Sequence, residues 1–282
     1  MIRIVADSTC DLTNELVNKY EITIVPLHIV LGEKEYLDGV EICPEEIYKW
    51  VDAQKDTPKT SAIGFEEALE IMRPMKNTQD EMILFTISEK MSTTANVFRM
   101  VVAELELEEQ VTVIDSANLS TGVGLMVIKA ALMVKEGKSR QEICQTMEEI
   151  KGKVQASFVV DTLTYLHRGG RCSSVAALAG GVLKLHPKIV VEDGSMHVQK
   201  KYRGKMEKVI LDYVKDMEED LKAADKERVF ITHSGCEQEM IDTVYAYLAN
   251  LNHFNEILVT RAGGVISSHC GPGTLGVLYI VK

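Results

Sequence analysis

Through the first half of the chain, short β-branched runs alternate with amphipathic stretches. Ile2 to Ala6, Ile22 to Val30, Met82 to Ile87 and Val111 to Asp115 predict strands, while Thr13 to Tyr20, Glu45 to Ala53 and Phe65 to Met72 repeat their apolar residues at helical spacing. Pro44 followed by Glu45 and Glu46 fits the first turn of the second of these helices, where a missing N–H costs nothing and acids meet the positive end. Strands alternating with helices imply a mostly parallel sheet covered by helices on both faces. The longest apolar stretch, Val123 to Val134, is interrupted by Lys129 and falls short of the ~20 residues of a spanning helix, so it predicts a buried helix.

The pattern changes near Ser157 to Asp161. Ile189 to Glu192 and Met196 to Val198 flank Asp193-Gly194, a strong hairpin signal that makes the second sheet partly antiparallel. A long helix from about Gly204 to Lys222, a strand at Val229 to His233, a helix from Gln238 to Leu251 and a strand at Ile257 to Arg261 follow. The reading is α/β with two domains: residues 1–155, a mostly parallel sheet with helices on both faces, and residues 156–282, a mixed-sheet α/β domain.

Composition narrows the function classes. A formal net charge of −11 over 282 residues disfavours nucleic-acid or anionic-membrane binding. The six cysteines stand singly, without CxxC or Cys/His spacing, so neither a disulfide framework nor a metal site is expected. Met1 leads directly into an apparent first strand instead of a signal peptide, and a cytosolic, reduced chain is the expectation.

Candidate chemistry gathers at strand ends. Asp7-Ser8-Thr9, Ser88 to Thr94 and Asp115-Ser116 each follow a predicted strand, and in a parallel sheet all three emerge on the edge where ligands bind. Helix capping accounts for one hydroxyl per helix, not for Ser92, Thr93 and Thr94 together. Thr60-Ser61 forms another cluster, in a loop after Pro58. Near the C-terminus, Ser267-Ser268-His269-Cys270-Gly271-Pro272-Gly273 reads as a strand-to-strand corner holding an imidazole, which can donate to an anion, move a proton or satisfy a buried carbonyl. Arg168-Gly169-Gly170-Arg171 sets two guanidinium groups around a flexible turn, suited to solvent, a phosphate or an acidic partner. Val175 to Leu183, small and apolar all round, predicts either ordinary core or the lining of an apolar ligand. Walker A and Gly-x-Ser-x-Gly motifs are both missing from the sequence, though Ser92, His269 and Asp115 leave a nucleophile, base and orienter open.

In order, Asp7-Ser8-Thr9-Cys10-Asp11-Leu12, Lys59-Thr60-Ser61, Ile87 to Thr94, Val113-Ile114-Asp115-Ser116, Leu163 to Arg171, His186-Pro187 and His269 to Gly273 resemble the DegV family over almost the entire chain. The resemblance implies a two-domain α/β fold binding one long-chain fatty acid between its domains. The protein would then serve as the acyl-carrying subunit of a fatty acid kinase whose separate ATP-dependent subunit makes acyl phosphate. It would have no catalysis, cofactor or metal of its own and no stable insertion in a membrane. By the same resemblance Thr60 or Ser61, Ser92 and His269 would contact the carboxylate, with Thr93 and Gly271 beside them, and the residues from Val175 to Leu183 would line the tail. Arg171 and Arg203 would face the kinase subunit. The chain departs from the family pattern in two places: Ala62-Ile63 stands where Gln-Pro is common, and Thr93 where Gly is common, a change that could shift the backbone beside the carboxylate. The competing expectations are a Ser92/His269 acyl hydrolase or acyltransferase and, through shared architecture with dihydroxyacetone kinases, a binder of small ketones or sugar phosphates.

Overall fold

A computed structural model describes residues 1–178 and 185–282, with backbone alone at 176–178. The elements run in chain order as β1 (Ile2–Asp7), α1 (Asn14–Tyr20), β2 (Ile22–Val25), β3 (His28–Leu31), β4 (Lys34–Leu37), α2 (Pro44–Gln54), β5 (Lys59–Ser61), α3 (Phe65–Met72), β6 (Glu81–Thr86), α4 (Thr94–Glu104), β7 (Val111–Asp115), α5 (Thr121–Lys135) and α6 (Arg140–Lys151). They continue with β8 (Val154–Val159), α7 (Thr164–Gly169), β9 (Leu185–Glu192), β10 (Ser195–Arg203), α8 (Met206–Lys215), α9 (Glu218–Ala223), β11 (Ala224–His233), α10 (Gln238–Asn250), β12 (Glu256–Arg261), α11 (Gly264–Cys270) and β13 (Leu275–Val281).

Two main sheets result, a four-stranded parallel one in the order β2-β1-β6-β7 and a six-stranded mixed one in the order β10-β9-β8-β13-β11-β12. Side-chain alternation along each strand sends successive residues into different cores. Ile4 and Ala6 of β1 and Ile83 and Phe85 of β6 face a central core, whereas Val5 and Leu84 face an outer one with Met72, Phe98 and Val101 of α3 and α4. In the second sheet, Ala156, Phe158 and Leu278 join that same central core, and Val159, Val277 and Tyr279 turn outward to α8 and α10. The layers are therefore helix, sheet, helix, sheet, helix. The middle layer explains why Val123 to Val134 is apolar on every side: α5 packs on β1 and β6 one way and on β8 and β13 the other. Gly124 lets it approach closely, since a Cβ there would lie 2.9 Å from the Cys10 carbonyl. No helix among the described residues is long and apolar enough to cross a membrane.

Four expectations are corrected. Ile22 to Val30 is not one strand: Pro26 lacks an N–H, and the chain breaks there into β2 of the parallel sheet and β3 of a separate three-stranded sheet ordered β4-β3-β5. Thr60 and Ser61 belong to that small sheet as β5, not to a loop. The helix expected from Gly204 to Lys222 is two, α8 and α9. The Asp216 carboxylate, at the end of α8, is held by the Lys200 ammonium (2.5 Å) and Tyr202 hydroxyl (2.7 Å), and the acids Glu218 to Asp220 start a fresh helix. Finally, His269 does not sit at a strand-to-strand corner. Gly263, extended, precedes α11 and Gly271, at φ 74°, follows it, so the glycines bound a short helix.

Candidate functional site

The carboxyl ends of β1, β6 and β7 do emerge on one edge of the parallel sheet, and α11 reaches that edge from the second half. Its chain leaves the six-stranded sheet after β12, packs against α2, α7, β3 and β5, and returns as β13. This excursion brings His269 to Thr60: the imidazole Nε2 and the Thr60 Oγ1 are 2.8 Å apart. The other ring nitrogen, Nδ1, is enclosed and has no hydrogen-bond partner among the described residues. Gly169, at the end of α7, abuts that edge of the ring, and a Cβ there would be 2.3 Å from Nδ1. Burial, helped by the nearby Arg171 charge, lowers the His269 pKa to about 4, so the ring is neutral at pH 7.

Thr60, Ser61, Ser92, Arg171 and His269 line one cavity of about 50 Å³, whose other walls are apolar and include Leu27, Met91 and Leu119. A smaller apolar cavity of about 30 Å³, reaching Phe158 and Leu278, shares Leu119, Ile266 and Cys270 with it. Ser92 is half-buried; its Oγ pairs with the Thr94 hydroxyl at 2.8 Å and accepts from the Thr94 N–H at 3.3 Å. Ser61 is exposed and its hydroxyl points to Glu35 at 3.3 Å.

Other expected residues lie apart. Thr93 is exposed and outside the cavity lining, and with φ −85° the backbone there does not require glycine, so the β-branched side chain causes no strain. Gly271 also lies outside the cavity lining: its N–H donates to the Ser267 carbonyl, its own carbonyl accepts from the Ser234 hydroxyl, and a Cβ would meet the Tyr165 ring at 2.5 Å. Arg171 is exposed yet lines the cavity, with Nη1 donating to the Gly169 carbonyl at 2.9 Å, so it is nearer the polar cluster than its place in the sequence implied. Arg203 is exposed at the end of β10, opposite Leu185. Asp115 orients nothing at His269; its carboxylate accepts from the Glu89 and Ala117 N–H groups at 3.0 and 2.9 Å. Most of the small-residue run from Val175 to Leu183 lies outside the described side chains, and only Val175 is placed, fully buried.

Sequence reasoning missed two features. The paired glycines of the Arg168-Gly169-Gly170-Arg171 turn were the available signal for the close contact with His269. The second is a set of buried carboxylates beside the site. Burial pushes Asp7 up to about 6 and also raises Asp11 and Asp38. Asp7 stands in the first hydroxyl cluster, where it looked like a helix cap, and Asp11 only in the family motif that follows; nothing around Asp38 marked it.

The arrangement is two hydroxyls, a neutral imidazole and one guanidinium at the mouth of an apolar space. It can donate hydrogen bonds to a carboxylate without burying a full opposing charge. Comparison with known proteins places the chain in a family. A model describing the DegV family matches residues 1–282. A DegV domain-containing protein of Caldanaerobacter subterraneus subsp. tengcongensis is 33% identical, the match covering 100% of this chain and 99% of the relative. Among solved structures, a DegV family protein of Thermus thermophilus described by its fatty acid binding is 29% identical with a TM-score of 0.91, over 100% of this chain and 99% of that one. DegV of Bacillus subtilis, described as a fatty acid binding protein, is 27% identical with a TM-score of 0.86 over the same shares, 100% and 99%. The chain belongs to the DegV family.

Proposed function

We propose that this protein binds a long-chain fatty acid with its carboxylate among Thr60, Ser92 and His269, and presents that carboxylate to a separate ATP-dependent kinase subunit for conversion to acyl phosphate. The observation that carries the reading is the Thr60–His269 hydrogen bond at the polar end of an otherwise apolar cavity. The Thermus and Bacillus relatives, described as fatty-acid-binding, support the ligand class. A carboxylate seated there would accept from the Thr60 hydroxyl, itself held by His269 Nε2, and from Ser92 through one oxygen and leave the other free to attack a phosphoryl group. Each buried methylene would add about 0.8 kcal/mol before ordering costs. The free volume seats the head group; a long tail requires Leu119, Ile266 and Cys270, the wall between the two cavities, to give way.

The bonding favours carriage over hydrolysis. A serine nucleophile needs its base within hydrogen-bond reach, and here the Ser92 hydroxyl is paired with Thr94 while the His269 Nε2 is paired with Thr60. Mass spectrometry of a denaturing extract should recover about one fatty acid per protein, and Ser92→Ala and His269→Ala should each weaken binding of a fluorescent fatty acid by roughly 1 to 3 kcal/mol. Lipid-free, well-folded protein with unchanged affinity in both variants would overturn the reading. Turnover of activated acyl esters above background would turn it toward the hydrolase.

A further inference from the structure

The helix that carries His269 has almost nothing of its own to start it. α11 has seven residues and opens on Gly263-Gly264, two of the poorest helix formers, with no capping side chain at Gly263. A helix of two turns is marginal in isolation. Its first N–H groups are met from the other half of the chain. The Asp11 Oδ1 accepts from the Gly263 N–H at 2.8 Å, and the Asp38 Oδ1 accepts from the Gly264 N–H at 2.7 Å.

Both carboxylates are themselves fixed. The second oxygen of Asp11 accepts from the Ser120 hydroxyl at the start of α5 (2.5 Å), and that of Asp38 from the Ser8 hydroxyl after β1 (2.8 Å). Asp11 and Asp38 are buried, and Gly264 is pressed so close that a Cβ would meet Asp38 Oδ1 at 2.8 Å and Ile29 Cδ1 at 2.4 Å. A ligand-binding role for the pair would leave these amide bonds unexplained. A mere stability role would not explain why two buried acids from separate loops converge on one short helix. His269 lies five residues beyond Gly264, about 7.5 Å along the axis at 1.5 Å per residue. A small tilt at the first turn is therefore carried directly to the imidazole, which must stay within 2.8 Å of Thr60.

We propose that Asp11 and Asp38 are positioning residues that anchor the first turn of α11 and thereby hold His269 in place against Thr60 across the two halves of the chain. This rests on the fatty-acid reading only for its consequence in binding; the placement of the ring can be tested without ligand. Asp7 supplies the control. It is as buried as the other two, but its carboxylate accepts from the Thr9 N–H and hydroxyl and the Ile87 N–H and forms no hydrogen bond with α11.

The experiment uses the full chain, ligand-free, with ¹⁵N-histidine labelling, and reads the His269 ring nitrogens by long-range ¹H–¹⁵N spectroscopy. His186, which is buried between the Val160 and Gly204 carbonyls, serves as internal reference. Asp11→Ala and Asp38→Ala should move the His269 signals toward those of a free imidazole and leave His186 unchanged, and affinity for a fluorescent fatty acid should fall about tenfold or more. Asp11→Asn and Asp38→Asn, which keep an acceptor for the amide, should recover most of both effects; they also stand in if an Ala variant does not fold. Asp7→Asn should lower stability while leaving His269 unmoved. Unchanged His269 signals in the Ala variants, or an equal shift in Asp7→Asn, would overturn the anchoring. A shifted ring with unchanged lipid affinity would uphold it and count instead against a head group at His269.

Discussion

Replacing Gly169 by Ala tests the head-group site from the side opposite Thr60. Gly169 occupies the last position of α7, where alanine is the better helix former by about 1 kcal/mol, so local propensity alone forecasts stabilisation. The tertiary contact forecasts the reverse. The new Cβ would stand 2.3 Å from His269 Nδ1 and 3.2 Å from Cε1, against 3.4 Å or more in an ordinary contact, so ring or helix must move by about an ångström. Pushed away from Gly169, the imidazole would be driven onto Thr60 and their 2.8 Å bond forced out of hydrogen-bonding geometry. Overpacking costs about 1 to 3 kcal/mol and the lost bond about 1 more, which outweighs the propensity gain and leaves a net loss of roughly 1 to 3 kcal/mol. Gly170→Ala is the matched comparison. At φ 67° it strains the backbone by about 1 kcal/mol, but its Cβ would meet nothing among the described residues within 4 Å. Denaturant unfolding should show both variants destabilised, whereas titration with a fluorescent fatty acid should show Gly169→Ala weakened about tenfold or more and Gly170→Ala near wild type. Wild-type affinity in Gly169→Ala would refute the placement of the carboxylate beside His269.

Thr60→Val should cost about 1 to 3 kcal/mol of stability by leaving both ring nitrogens of His269 without a partner, while Ser61→Ala, at an exposed hydroxyl, should stay within about 0.5 kcal/mol in the same unfolding assay. Because the folded pKa of His269 is lowered to about 4 from 6.5, the unfolded chain takes up its proton first as pH falls, so this residue's contribution to stability is present above about pH 6.5 and lost between there and pH 4. The stability difference between wild type and His269→Gln should accordingly change by at most about 3 kcal/mol across that window in unfolding curves, and a flat difference would mean the ring is not buried neutral. Arg203→Ala should retain fatty-acid affinity and lose acyl-phosphate formation with the cognate kinase subunit and ATP. Arg171→Ala, whose side chain lines the cavity, should lose some of both; equal behaviour of the two variants would contradict the difference in their positions.

How much of this was legible beforehand differs from element to element. The apolar run Val123 to Val134 announced a helix covered on every side, and Asp193-Gly194 announced a hairpin, because burial periodicity and turn stereochemistry are local properties of the chain. The break at Pro26 was written in the sequence too, but β-branched residues on both sides masked it. The small sheet of β3, β4 and β5 gave little signal, since its strands are only three or four residues long.

By itself the sequence determined the alternation of strands and helices, the hydroxyl-bearing strand ends on one edge, and the ordered motifs that carry the family likeness. Only the tertiary structure decided which of those residues meet. Thr60 and His269 are 209 positions apart, and their contact depends on α11 leaving one sheet to pack beside another. The glycines around His269 looked like a corner because glycine permits corners and helix ends alike; two buried carboxylates from distant loops, by binding the first amides, make this one a helix. Those contacts pair groups through space, and no local periodicity records a partner hundreds of residues away.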